Sequence, residues 1–320
     1  FACSGETDKE VMPEPFDVLL HGGQIYNGDD GLPVIGDVGV RGDRMAAVGG
    51  DRSAHPATLV LDVSELAVTP GFIDIHSHAV RGTLDDDIFR WPDAENLIRQ
   101  GVTTVIGGPD GDSPLPNTDT FDAIEANPSA VNYGTFVGHG SIRELIVGEQ
   151  DRVASEAELQ LMREQVTLAM EAGSFGLSSG LIYAPGRFAD TEEVIELAKV
   201  AAPFGGIYIS HMREEGLEVL TSVAETIRIG EEGGLPTQIT HHKIVGAPMW
   251  GSSTETLRLV DEAIARGVDV SIDQYPYTAS ATSLTILFPG WSLDGGREAL
   301  LARMEDSVQR QRLKMDIVHN

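Results

Sequence analysis

From residue 17 to 70, apolar and polar positions alternate between glycine-rich turns, as in Asp17-Val18-Leu19-Leu20-His21-Gly22-Gly23 and Asp37-Val38-Gly39-Val40-Arg41-Gly42-Asp43. A period of two sends every second side chain to one face, so this stretch predicts short hairpin strands in a small β domain. From Gly71 onward the rhythm becomes apolar strand, polar loop, helix. Ser155, Asp190 and Ser252 each precede a glutamate (Glu158, Glu193, Glu255) at the spacing of a side-chain acceptor and its capping-box partner. Gly173, Gly205, Gly233 and Gly267 fall where a left-handed residue ends a helix. A β-rich run follows each glycine, over 175–181, 206–211, 236–241 and 268–273.

The expected C-terminal ends of the strands are His76, Asp110, His139, Leu181, His211, His241 and Tyr275. Their spacing is close to the ~30 residues of one βα unit. Seven such units beside one β domain predict an α/β fold, a (β/α)8 TIM-like barrel with a small N-terminal β domain. An eighth strand is expected beyond Asn320, so the chain reads as truncated before strand 8. An open doubly wound sheet is the alternative, but no G-x-G-x-x-G follows the first strand. The expected domains are a linker over 1–16, the β domain over 17–70 and the C-terminally incomplete barrel over 71–320.

Composition narrows the function classes. With 22 Lys+Arg and 50 Asp+Glu the formal charge is 22 − 50 = −28, which repels phosphate backbones, and no basic stripe interrupts it. No nucleic-acid partner is expected. Hydrophobic residues at 41% and a mean hydropathy of −0.07 are those of an ordinary globular chain, and no apolar run is long enough to span a bilayer. The single cysteine excludes an internal disulfide. Phe1-Ala2-Cys3-Ser4-Gly5 resembles the end of a bacterial lipobox, which would make Cys3 a lipid anchor of an exported protein; the other reading is a free thiol in a frayed terminus of a cytoplasmic one.

Barrel chemistry sits at the C-terminal ends of strands, and five of the nine histidines are expected there. His76 and His78 are two apart on an extended segment, so both imidazoles leave one face and can share a metal. His211 and His241 close two later strands. Four imidazoles converging on one mouth point to a metal site, and their number favours two ions over one. Imidazole with carboxylate suits zinc, with iron, manganese or nickel also compatible. Asp110, in Gly107-Gly108-Pro109-Asp110-Gly111-Asp112, is the candidate bridging anion, or else an ordinary turn aspartate. His139 is read as a ligand or a substrate contact, or as packing in a glycine-flanked turn.

The stretch Thr69-Pro70-Gly71-Phe72-Ile73-Asp74-Ile75-His76-Ser77-His78 resembles the opening of the amidohydrolase superfamily. Gly138-His139-Gly140-Ser141-Ile142-Arg143, Tyr183-Ala184-Pro185-Gly186, His211-Met212-Arg213-Glu214-Glu215-Gly216, His241-His242-Lys243 and Asp273-Gln274-Tyr275-Pro276-Tyr277 resemble N-acyl-D-amino-acid deacylases, the D-aminoacylases. The resemblance runs from about residue 17 to 291. It implies zinc-dependent hydrolysis of the amide bond of N-acyl-D-amino acids by metal-activated water, with one or two Zn2+ ions. His76 and His78 would hold one zinc, His211 and His241 the other. Lys243, Tyr183 and Tyr275 would face the substrate's carboxylate and carbonyl, with His139 a further donor.

Two departures stand out. The family places a bridging cysteine where this chain has Asp110, and its general-base aspartate, at the end of strand eight, is expected beyond Asn320. A cyclic-amide hydrolase of the hydantoinase or dihydropyrimidinase kind is the alternative enzyme. A catalytically dead binding domain that keeps the pocket is the non-enzymatic one.

Overall fold

The computed structural model describes residues 13–319 apart from 30, 81–83, 85 and 86, and Cys3 and most of the 1–16 linker lie outside the described residues. Two compact units divide after Phe72. The first is a five-stranded sheet of β1 (Phe16–Ile25), β2 (Val34–Arg41), β3 (Arg44–Val48), β4 (Ala57–Asp62) and β5 (Ala67–Val68), ordered β3-β2-β1-β4 with β5 also on β1. The β2–β3 hairpin turns through Gly42 at φ +58, whose N–H donates to Asp17 Oδ2 at 2.6 Å. Phe16, Leu19, Ile25 and Val38 form its buried face. The hairpin expectation holds only for β1, β2 and β3. Both β4 and β5 run parallel to β1, because the chain crosses back to it instead of turning tightly.

The second unit carries the strands β6 (Phe72–Asp74), β7 (Val102–Gly107), β8 (Asn132–Thr135), β9 (Val137–Gly138), β10 (Gly176–Gly180), β11 (Ile207–His211), β12 (Thr237–Ile239) and β13 (Val270–Ile272). Between them lie α1 (Glu95–Ile98), α2 (Asn117–Ala126), α3 (His139–Ile146), α4 (Glu156–Glu171), α5 (Thr191–Ala201), α6 (Val219–Gly233) and α7 (Ser253–Ala265). Strands β9 to β13 form one parallel sheet and β6 to β8 another, each in chain order. β8 and β9 are two halves of one strand position interrupted at Phe136, so seven positions follow one another, as the βα spacing predicts. Neighbours in chain order are the winding of a barrel wall, whereas a doubly wound sheet reverses direction at a switch point.

The helix signals explain most boundaries. Ser155 opens α4 with a reciprocal capping box to Glu158, and Asp190 opens α5 by accepting from the Glu193 N–H. Ser252 precedes α7 without a side-chain cap. Gly233 stays helical, and Gly234, at φ +76, is the residue that ends α6. One buried cluster joins Val137, Leu177 and Tyr208 of the sheet to Met162, Val166, Leu197 and Ile229 of the helices. No helix among the described residues is long and apolar enough to cross a membrane.

Candidate metal centre

Asp110 organises the site. It follows β7 in a tight turn and takes a left-handed φ of +56, a conformation costly for a residue with a Cβ and concentrated at functional sites. The turn is pinned from beneath. Ser178 donates its hydroxyl to the Gly108 carbonyl at 2.5 Å and accepts the Gly111 N–H at 3.1 Å. A Cβ on Gly180, at the end of β10, would lie 2.0 Å from the Asp110 carbonyl oxygen, so only glycine lets β10 pass so close. Sequence and fold thus fix where this carboxylate stands.

Four imidazoles surround it. Oδ1 lies 3.4 Å from His76 Nε2, 3.7 Å from His241 Nε2 and 3.8 Å from His211 Nδ1, while Oδ2 lies 3.3 Å from His78 Nε2. His76 and His78 stand just past the end of β6, where the Asp74 carboxylate accepts the His76 N–H at 3.1 Å. His211 is the last residue of β11. His241 lies two residues past β12, at φ +38, with its N–H held by the Asp273 carboxylate. The ends of β6, β7, β11, β12 and β13 therefore meet at one point, and Asp273 Oδ2 comes within 3.8 Å of His76 Nδ1.

The electrostatics favour a cation. Burial opposes the charge on Asp110, but the four surrounding imidazoles of His211, His241, His76 and His78 outweigh it and hold the carboxyl far below the usual range. Burial also disfavours the charged form of His76, yet Asp110 and Asp273 lift it to about 9. His211 is pushed down, chiefly by burial. Asp110 Oδ1, His76 Nδ1 and His211 Nε2 are buried with no hydrogen-bond partner, the unmet valence that a bound ion relieves. His76, Asp110 and His241 offer ligand atoms within 4.8 Å of one another, as do His211, Glu215 and His241. Imidazole nitrogen and carboxylate oxygen at this density fit a divalent transition metal.

A cavity of about 800 Å3 opens beside this cluster, lined by Lys243, Tyr183, Tyr275 and Thr282 with Ile73, Ile75, Ile182, Val245 and Ile286. Lys243 Nζ donates to Glu215 Oε1 at 2.6 Å and to the His241 carbonyl at 3.2 Å, and stands 5.6 Å over the Tyr275 ring. The Tyr183 hydroxyl lies 3.0 Å from Thr282 Oγ1 and 3.3 Å from His211 Nδ1, and burial lifts its pKa to about 12. Eight of the nine residues singled out from the sequence thus lie together. His139 does not join them: it opens α3 fully buried, and its Nε2 lies 2.8 Å from Glu193, which also pairs with buried Arg143. It is not among the residues that line the cavity. Glu215, Asp273 and Thr282 are the residues that sequence reasoning missed. Glu215 stands four residues beyond His211, and Asp273 directly follows β13.

No protein-family model matches the chain. A D-aminoacylase of Alcaligenes xylosoxydans xylosoxydans is 41% identical over 294 residues, 85% of this chain and 59% of the relative. A D-aminoacylase crystal structure, described as defining a novel subset of amidohydrolases, matches with TM-score 0.76 at 38% identity, over 83% of this chain and 60% of that one. The N-acyl-D-glutamate deacylase of Bordetella bronchiseptica, solved with zinc and a phosphonate inhibitor, matches with TM-score 0.76 at 35% identity, over 82% and 59% of the two chains. A D-hydantoinase structure matches at 17% identity with TM-score 0.59, over 85% of this chain and 60% of that one, a likeness of fold alone.

Parallel βα units with polar residues gathered at the strand ends define an α/β protein, and the solved structures it matches include amidohydrolases. Over the span it matches, the chain is similar to the D-aminoacylases and the other N-acyl-D-amino-acid deacylases. It spans about 60% of the length of these relatives.

Proposed function

We propose that the whole protein hydrolyses the amide bond of N-acyl-D-amino acids with the help of bound zinc. The observation that carries this reading is the Asp110 carboxylate within 3.3–3.8 Å of four imidazoles, beside a cavity that presents Lys243. His211, His241, His76, His78 and Asp110 are the residues that would hold the metal, as one or two ions. Asp110 stands where the family pattern has a cysteine, and its carboxylate would supply the anionic ligand there. Zinc in such a site supplies a Lewis acid for the carbonyl and brings the pKa of water to about 7.

The remaining work falls to side chains of this chain. Lys243 binds the free carboxylate of the substrate, and the apolar wall of the cavity takes its hydrocarbon parts. Tyr183 keeps its proton, so its hydroxyl donates to oxyanion charge that develops on the scissile carbonyl. Tyr275 walls the Lys243 side of the cavity. The same reading takes residues 17–70 as the small β domain and closes the strands from residue 71 onward as a (β/α)8 barrel.

The test is amine release from N-acetyl-D-methionine by the full-length, zinc-loaded protein, run beside a hydantoin and dihydrouracil. Turnover of the acyl amino acid supports the proposal. Turnover of the cyclic amides alone moves the assignment to cyclic-amide hydrolysis, and zinc binding with no turnover moves it to a binding domain.

A further inference from the structure

His211 and His241 each have two ring nitrogens, and a carboxylate faces each side of the pair. On one side, His211 Nδ1 and His241 Nε2 lie 2.9 Å apart and face Asp110 Oδ1. On the other, His241 Nδ1 lies 3.1 Å from Glu215 Oε1, and His211 Nε2 lies 3.9 Å from Glu215 Oε2. Glu215 is only 5% exposed. Geometry alone permits an ion on either side, because the Glu215 set and the Asp110 set both bring three ligand atoms within reach.

Lys243 decides between them. Its ammonium already sits 2.6 Å from Glu215 Oε1 and also donates to the His241 carbonyl, so that oxygen is neutralised and a second cation there would be repelled. Asp110 Oδ1 is approached among the described residues only by imidazole nitrogens, which can exchange a proton for a metal ion, and by no lysine or arginine.

We propose that Glu215 is a positioning residue behind the metal centre: it accepts the His241 Nδ1–H, directs the Nε2 lone pair toward Asp110, and anchors Lys243 with the same oxygen. Metal ligands commonly donate their second ring N–H to a carboxylate in this way. With Nδ1 protonated, His241 no longer accepts from Lys243 Nζ, which lies 2.9 Å away. One ammonium N–H then turns to an incoming carboxylate. The site that holds the metal and the group that reads the substrate's charge are joined through one buried side chain. This inference rests on the zinc reading above.

The experiment measures zinc affinity of the full-length protein by competition with a chromophoric chelator, and the visible spectrum of the cobalt-substituted form. Glu215→Ala is expected to weaken zinc binding roughly 10- to 100-fold. Glu215→Gln, whose amide oxygen still accepts from Nδ1–H, should keep most of the affinity and an unchanged cobalt spectrum. If Glu215→Gln loses as much as Glu215→Ala and the cobalt spectrum changes, Glu215 is a ligand and the inference fails. Unchanged affinity in Glu215→Ala also overturns it, while leaving the zinc reading intact. A wild-type protein that binds no zinc overturns both. Should metal-free Glu215→Ala fail to fold, the cobalt spectrum of Glu215→Gln decides alone.

Discussion

Lys243→Ala removes the lysine ammonium of the candidate carboxylate site while leaving the imidazole cluster in place. A hydrogen bond to a charged partner is worth about 1.5–3 kcal/mol. The lower end applies here, for two reasons read from the structure. The Lys243 side chain keeps 20% of its exposure, so solvent screens it, and Glu215 Oε1 at 2.6 Å already satisfies part of its charge. About 1.5 kcal/mol corresponds to roughly a 10-fold rise in KM for an N-acyl-D-amino acid. The assay compares that substrate with its carboxamide, which lacks the negative charge. The carboxylate substrate should lose roughly 10-fold and the carboxamide little, so that the variant treats the two more alike. An equal loss on both would refute the argument, since it would mean that Lys243 supports the site and does not read the carboxylate.

Other consequences follow from the buried groups. Glu193→Ala strands Arg143, which is fully buried, and should cost about 3–5 kcal/mol of stability, seen as a lower thermal midpoint; an unchanged midpoint would count against the pairing. Burial opposes the charge on Glu193, but His139 and Arg143 outweigh it and depress its pKa below the ordinary 4.5. Its stabilisation is thus present above that value and lost as pH falls through the depressed one, so Glu193→Gln should flatten the loss of stability in acid. Gly180→Ala places a Cβ 2.0 Å from the Asp110 carbonyl and should weaken zinc binding without loss of fold, with zinc titration and circular dichroism as the paired readouts. Wild-type affinity in that variant would show that the Asp110 turn shifts freely.

Much of this site is legible in the sequence because its parts sit at regular intervals. Strand ends recur at the βα period, so histidines at those ends converge whatever the loops do, and Gly-flanked Asp110 announces a turn that aims a side chain. What escapes is non-local. His139 has the same glycine-flanked setting as a site residue, and only its partner Glu193, 54 residues on, draws it into the core. Lys243 reaches the cavity, but not by alternation along a strand: β12 ends at Ile239, and the positive φ of His241 turns the chain. Glu215 carries no periodic mark, since it belongs to the loop between β11 and α6, where its carbonyl accepts the Val245 N–H and the Glu214 carboxylate holds the Gly216 and Glu218 N–H groups. In the first unit, alternation correctly marks strands but is blind to direction, which is why the parallel pairing of β4 and β5 with β1 is not foreseen.

The central claim is that a metal gathered around Asp110 serves the hydrolysis of N-acyl-D-amino acids. It is tested most directly by amine release from matched N-acetyl-D and N-acetyl-L amino acids with the full-length protein, before chelation, after it, and after zinc is restored. Release should be confined to the D series, abolished by chelation and recovered with zinc. Release that persists in the chelated protein, or that favours the L series, would contradict that claim.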